Sequence, residues 1–172
     1  MTDPTRDIPQ FGALLGESIG AVPAASRPRF LARLERGAAD RYRGWAAALP
    51  EHADALLACA ASEEQIAIRV DALYPAIPSE LAAIEAALPG AIATYFEVFD
   101  GLSIPRQLAL QAAAERQGSQ AWQALKRPGL PQAQADELDA LTAMELESAE
   151  RLEALLAQLS DEGAASPPGR NR

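Results

Sequence analysis

Glu35, Glu63, Glu115 and Glu145 each occupy a position where a helix of this chain should present an apolar residue. Residues spaced alternately three and four apart fall on one helix face. The stripe around Glu35 reads Leu31, Glu35, Ala38, Tyr42, Trp45, Leu49, and that around Glu63 reads Leu56, Cys59, Glu63, Ile66, Val70, Leu73. The other two read Leu108, Gln111, Glu115, Gly118, Trp122, Leu125 and Leu138, Leu141, Glu145, Ser148, Leu152, Leu155. Ionised carboxylates gathered in a low-dielectric interior repel one another and lose hydration. They must hold protons, pair with arginine, be wetted by a cavity or be neutralised by metal. A pair of divalent cations would balance the four charges. Ligands that are all oxygen favour hard cations such as magnesium, calcium or manganese, whereas histidine nitrogen helps to hold iron or zinc.

The elements that position these residues follow from the turn signals. Leu49-Pro50 lies midway between Glu35 and Glu63, and Gly129-Leu130-Pro131 lies midway between Glu115 and Glu145. Proline ends helices and short connections make antiparallel hairpins, so equal path lengths from the turn bring each pair to one height. Ser26-Arg27-Pro28 offers an N-cap and an early proline for a first long helix ending near Leu49. A second is expected from about Glu51 to Tyr74, a third from Ser103-Ile104-Pro105 to about Lys126, and a fourth from Pro131 to about Leu159. The segment between the second and third helices carries its own helical patterns, Ser79 to Leu88 and Ala91 to Phe99, punctuated by Pro89-Gly90 and Asp100-Gly101. So long a connection can travel the length of a bundle, which makes it a crossover and the second and third helices parallel.

The two hairpins also look like copies. The eleven residues from Glu63 to Leu73 align without gaps on those from Glu145 to Leu155, sharing Glu, Ala, Arg, Ala and Leu.

Composition agrees with an all-α domain. The 172 residues suit a single domain, the hydrophobic share of 49% with abundant alanine can build closely packed helices, and few aromatic or β-branched residues argue against sheet. A net charge of −9 and a pI near 4.6 disfavour nucleic acid and anionic membrane as partners. There is no apolar run long enough to span a bilayer and no charged-then-apolar leader, so the cytoplasm is the expected compartment. The single cysteine excludes an intrachain disulfide. The expected organisation is an N-terminal extension over 1–25, partly loose, a four-helix bundle over 26–160, and a disordered tail over 161–172.

Over roughly residues 28 to 160 the chain resembles the ferritin-like superfamily, the rubrerythrin, bacterioferritin and di-iron carboxylate bundles. That family places a lone Glu on its first and third helices, with an aromatic residue two turns later, and Glu-x-x-His on its second and fourth. Glu35 with Tyr42 and Glu115 with Trp122 match the lone-Glu helices, and Glu63 and Glu145 match the glutamates of the Glu-x-x-His motifs. Ile66 and Ser148 stand where the family has imidazole ligands. The sole histidine, His52, precedes Glu63 by eleven residues, about 16 Å along a helix axis, too far to share a metal with it.

The resemblance implies a di-metal carboxylate oxidoreductase, its metal site weakened or lost, with Glu35, Glu63, Glu115 and Glu145 as remaining ligands of a divalent metal pair, iron or manganese. The alternative is a non-catalytic bundle acting as an interaction or structural module, or a small-molecule binder using the polar pocket between helices. Whether the chain is an enzyme stays open at this level.

Around the cluster, Tyr42 and Trp122 are expected to fill core, although a phenol or indole group near carboxylates would gain a hydrogen bond; Arg69 and Arg151 could reach inward but are expected to face solvent, Cys59 is expected to be a small buried apolar residue, and Gln111 is a conceivable auxiliary oxygen ligand. Leu57, Ala61, Glu64 and Ile68 make a second stripe on the second helix, from which a homodimer is expected. No Gly-rich phosphate loop, Cys-x-x-Cys pair or nucleophile with a base near it points to other chemistry.

Overall fold

The computed structural model describes residues 8–165. The described residues form seven α-helices with no strand: α1 (Phe11–Leu14), α2 (Gly16–Ala21), α3 (Arg27–Ala48), α4 (Ala53–Leu73), α5 (Leu81–Glu97), α6 (Ile104–Ala124) and α7 (Gln132–Ala165). None of them is long and apolar enough to cross a membrane. The expected loose residues 1–7 and 166–172 lie outside the described residues.

The four long helices expected from the stripes are α3, α4, α6 and α7, and they pack chiefly as two hairpins, α3 on α4 and α6 on α7. Leu49 leaves helical geometry and Pro50–His52 make one 3-10 turn before α4 begins. Gly129 closes the α6–α7 connection at φ +84°, a left-handed conformation that costs glycine no side-chain clash. The hairpins are joined by paired side chains. Glu63 and Arg69 of α4 meet Ser148 and Glu137 of α7, while Tyr42 and Trp45 of α3 meet Glu115 and Gln107 of α6.

Several expectations are corrected. Pro89 does not divide the connecting segment: α5 is one helix with Pro89 inside it. A proline there forgoes one intrahelical hydrogen bond, and burial of Ile84 and Ala91 with Leu15, Val22, Phe30 and Leu34 holds the segment helical through it. Ser26 does not cap α3. Its own backbone is already helical (φ −98°, ψ −5°), and its hydroxyl instead donates to Glu80 at 2.5 Å, tying the start of α3 to the turn before α5. The last helix runs six residues past Leu159, to Ala165, so a structureless tail cannot begin at residue 161. Among the described residues before α3, Phe11, Leu15 and Val22 are buried, so the chain from there to α3 is packed.

Arg69 does not project into solvent. Its guanidinium donates to both carboxylate oxygens of Glu137, at 2.5 and 2.9 Å, and bridges α4 to α7. Arg151 pairs with Glu147 one turn earlier, at 2.5 Å.

Candidate metal centre

Apolar packing in the long helices is interrupted at mid-height. Toward one end Tyr42, Leu56, Cys59, Leu108, Leu152 and Leu155 form a buried cluster, and toward the other Ala32, Ile66, Val70, Trp122, Leu138 and Leu141 form a second. Each glutamate lies in sequence between a member of one cluster and a member of the other: Glu35 between Ala32 and Tyr42, Glu63 between Cys59 and Ile66, Glu115 between Leu108 and Trp122, Glu145 between Leu141 and Leu152. The carboxylates form a polar layer between two apolar ones.

Helical periodicity aims all four inward. Glu63, Glu115 and Glu145 are 0%, 2% and 1% exposed, while Glu35 is half-buried. Glu35, Glu63 and Glu145, from three different helices, each offer one oxygen, and these oxygens lie within 4.8 Å of one another. Glu115 adjoins Glu63 and Glu145 and has further partners of its own. Its Oε1 accepts from the Tyr42 hydroxyl at 2.6 Å and from Gln111 Nε2 at 2.7 Å, and Gln111 Oε1 in turn accepts from the Tyr95 hydroxyl at 3.1 Å. Trp122 Nε1–H donates to Glu145 Oε1 at 2.6 Å, and Ser148 Oγ lies 3.5 Å from Glu63 Oε1. Tyr42 and Trp122 are therefore carboxylate donors as well as core. Gln111 is a donor to Glu115 through its amide nitrogen rather than an oxygen ligand.

The layer is charged only at a cost. Burial, then the charge of Glu115, pushes the Glu35 carboxyl from 4.5 up to about 8. Burial also holds Glu63 and Glu145 well above the usual carboxylate range, with the neighbouring glutamates adding to it. Burial pushes the Cys59 thiol up to about 11, so it is a neutral packing residue. Glu63 Oε2 is buried and has no hydrogen-bond partner.

Gly118 carries a role that the stripe alone did not reveal. A Cβ there would stand 2.9 Å from both carboxylate oxygens of Glu145 and 3.0 Å from its Cδ. Glycine inside a helix costs about 1 kcal/mol relative to alanine, so its presence at a seam position beside a glutamate is the signal that marks it. Gly118→Ala is expected to gain none of that increment on thermal unfolding, because the carboxyl must give up its place against the helix and strain its bond to Trp122. A variant stabilised by the full ~1 kcal/mol would show Glu145 free to move.

The layer opens on one side to a cavity of about 160 Å³, reached by Glu35, Glu115 and Glu145 and roofed by Phe11, Leu15 and Ile19 of α1 and α2. The roof is clamped by one side chain: Gln117 of α6 accepts from Phe11 N–H at 2.8 Å and donates to the Pro9 carbonyl at 3.0 Å.

This chain matches no family model, no curated protein and no solved structure. What the centre can do chemically is set by its donor set, which among these residues is carboxylate oxygen alone. Ile66, fully buried, and Ser148 stand one turn after Glu63 and Glu145 and supply no nitrogen.

Proposed function

We propose that this chain is a divergent ferritin-like protein, a four-helix bundle of α3, α4, α6 and α7, whose glutamate layer is a weakened di-metal carboxylate site of the oxidoreductase type. The observation that carries this reading is the convergence of Glu35, Glu63 and Glu145 from three helices within 4.8 Å. The unpartnered buried Oε2 of Glu63 fits a cation better than it fits a self-contained hydrogen-bond network, and Gly118 makes the room in which the Glu145 carboxyl sits. Oxygen-only donors select a hard divalent ion, and manganese is the redox-active member of that class.

The bundle topology is supported by the order of the paired residues. Glu63 meets Ser148 and Arg69 meets Glu137, so numbering rises along α4 as it falls along α7. Since α6 and α7 are antiparallel across a short turn, α4 and α6 point the same way, and the chain between them, with α5, serves as the crossover.

Glu35, Glu63 and Glu145 would hold metal, with Glu115 beside them in the same layer. Such an ion supplies a Lewis-acid or redox centre when bound. The chain's own residues do the rest. Trp122 fixes the carboxyl of Glu145, Tyr42 and Gln111 fix that of Glu115, and the α1–α2 roof limits the access of water.

Chelator-stripped protein titrated with manganese in a calorimeter is expected to show saturable uptake that Glu63→Ala abolishes. Melting temperature should rise with metal in the parent alone, because a ligand of the folded state at a hundred times its Kd adds about 2.7 kcal/mol. A parent that takes up no manganese and whose melting does not move would leave the layer as a proton-holding polar core.

The outer face of α4 supports a homodimer as part of the same proposal. Leu57 and Ile68 are 46% and 53% exposed, with Ala61 exposed between them, and a self-complementary pairing would cover both. Light scattering is expected to give twice the chain mass at micromolar concentration, and Leu57→Glu with Ile68→Glu to halve it. A parent of monomer mass would remove the dimer and leave the carboxylate site unaffected.

A further inference from the structure

The cavity above the glutamate layer has the form of a chamber rather than a packing fault. Its volume of about 160 Å³ matches the scale, about 150 Å³, at which an apolar protein cavity accepts benzene. Its walls are largely apolar, with Phe11, Leu15 and Ile19 from the roof and Leu34 from α3 facing Ala114 of α6. Its polar lining is Gln117 on the roof side and, at the layer, Gln111 with Glu35, Glu115 and Glu145. Among these, Glu115 and Glu145 are at most 2% exposed and already accept from Tyr42, Gln111 and Trp122. Glu35 also lines the chamber and is the half-buried member, with its carboxyl beside those of Glu63 and Glu145, so it is the member of the layer that we take as the hydroxyl's partner.

We infer that this chamber binds a small neutral alcohol with an apolar body of about six to eight non-hydrogen atoms, its hydroxyl turned to Glu35. As the substrate class of the carboxylate centre this rests on the metal reading, but the binding itself needs only the chamber. An apolar body gains by leaving water for the walls, and the hydroxyl satisfies a carboxyl that the walls cannot. A molecule much larger would have to displace the roof that Gln117 holds down.

The test uses benzyl alcohol and toluene as probes, titrated by calorimetry into chelator-stripped full-length protein. Saturable binding of one benzyl alcohol per chain, with toluene at least tenfold weaker, is expected. Ala114→Phe fills the chamber from α6 and should lower benzyl alcohol affinity at least tenfold while leaving manganese uptake as in the parent. Ala121→Leu, at the solvent-exposed end of the lining, serves in its place if Ala114→Phe does not fold. Absence of saturable binding, binding that both folded variants retain, or toluene binding as tightly as the alcohol would each overturn the proposal. Manganese uptake without alcohol binding would remove the chamber and keep the metal centre. Alcohol binding without manganese uptake would keep the chamber and remove its role as a metal-site substrate pocket.

Discussion

The double variant Ile66→His with Ser148→His is expected to bind ferrous iron or zinc at least tenfold more tightly than either single variant, and far more tightly than the parent. Both positions lie one helical turn after a buried glutamate. Ser148 is 1% exposed with its hydroxyl 3.5 Å from Glu63 Oε1, so a side chain there already points into the layer. Ile66 is fully buried on the same stripe as Glu63, in the apolar cluster that borders the layer. Two imidazoles would turn an all-oxygen donor set into the mixed nitrogen and oxygen set that iron and zinc prefer. Each tenfold step in affinity is about 1.4 kcal/mol. Neither single variant completes the set, so the gain should exceed the product of the single effects. Calorimetry on double, single and parent proteins reads it directly. A folded double variant with the parent's affinity would mean that one of these side chains turns away from the carboxylates, and the ferritin-like register would fail with it.

The parts of the site that sequence periodicity could reach were those that depend only on which face of a helix a residue occupies. Glu35, Glu63, Glu115 and Glu145 were placed together because their stripes and turn distances fix face and height. Whether a polar tip finds a partner depends on angstrom-scale placement that a stripe does not encode. The stripe marks Tyr42 and Trp122 as core residues whose polar tips could meet a carboxylate, but it does not say that they reach Glu115 and Glu145, nor that Gln111 turns its amide nitrogen to Glu115. Arg69 was misplaced for a related reason. A flanking position on α4 says nothing of Glu137, which α7 brings from 68 residues away. The roof was missed altogether. With helices of four and six residues, α1 and α2 are too short to show a period, and only the burial of Phe11, Leu15 and Val22 and the packing of α1 on α5 and α6 and of α2 on α5 give them a place. Pro89 illustrates the opposite failure, where a strong local signal was overridden by packing on both sides of it.

Metal-free protein should lose stability as pH rises from about 5 to 8, against the usual behaviour of an acidic protein with ion-paired carboxylates. The ordinary value for Glu35 is 4.5 and burial beside Glu115 raises it to about 8, with Glu63 and Glu145 shifted the same way. Between those limits the unfolded chain has released protons that the folded one retains. Stability is then complete below about pH 4.5 for these groups, and falls by up to ~1.4 kcal/mol per pH unit for each proton held only in the folded state. Surface pairs such as Glu153 with Arg116 and Glu137 with Arg69 pull the other way, but they titrate below the ordinary carboxylate value and are spent before this window opens. Glu63→Leu removes one of the buried carboxyls and joins the apolar clusters above and below the layer. It should hold or raise stability at pH 8, by about 1–4 kcal/mol, and flatten the pH dependence. Manganese should reverse the slope in the parent, since deprotonated carboxylates are what the ion binds, and do nothing for the leucine variant. Chemical denaturation at pH 5, 6, 7 and 8, with chelator and with manganese, measures all of these. A metal-free parent that grows more stable toward pH 8 would mean that Glu35, Glu63 and Glu145 ionise freely, in a layer far wetter than their burial indicates.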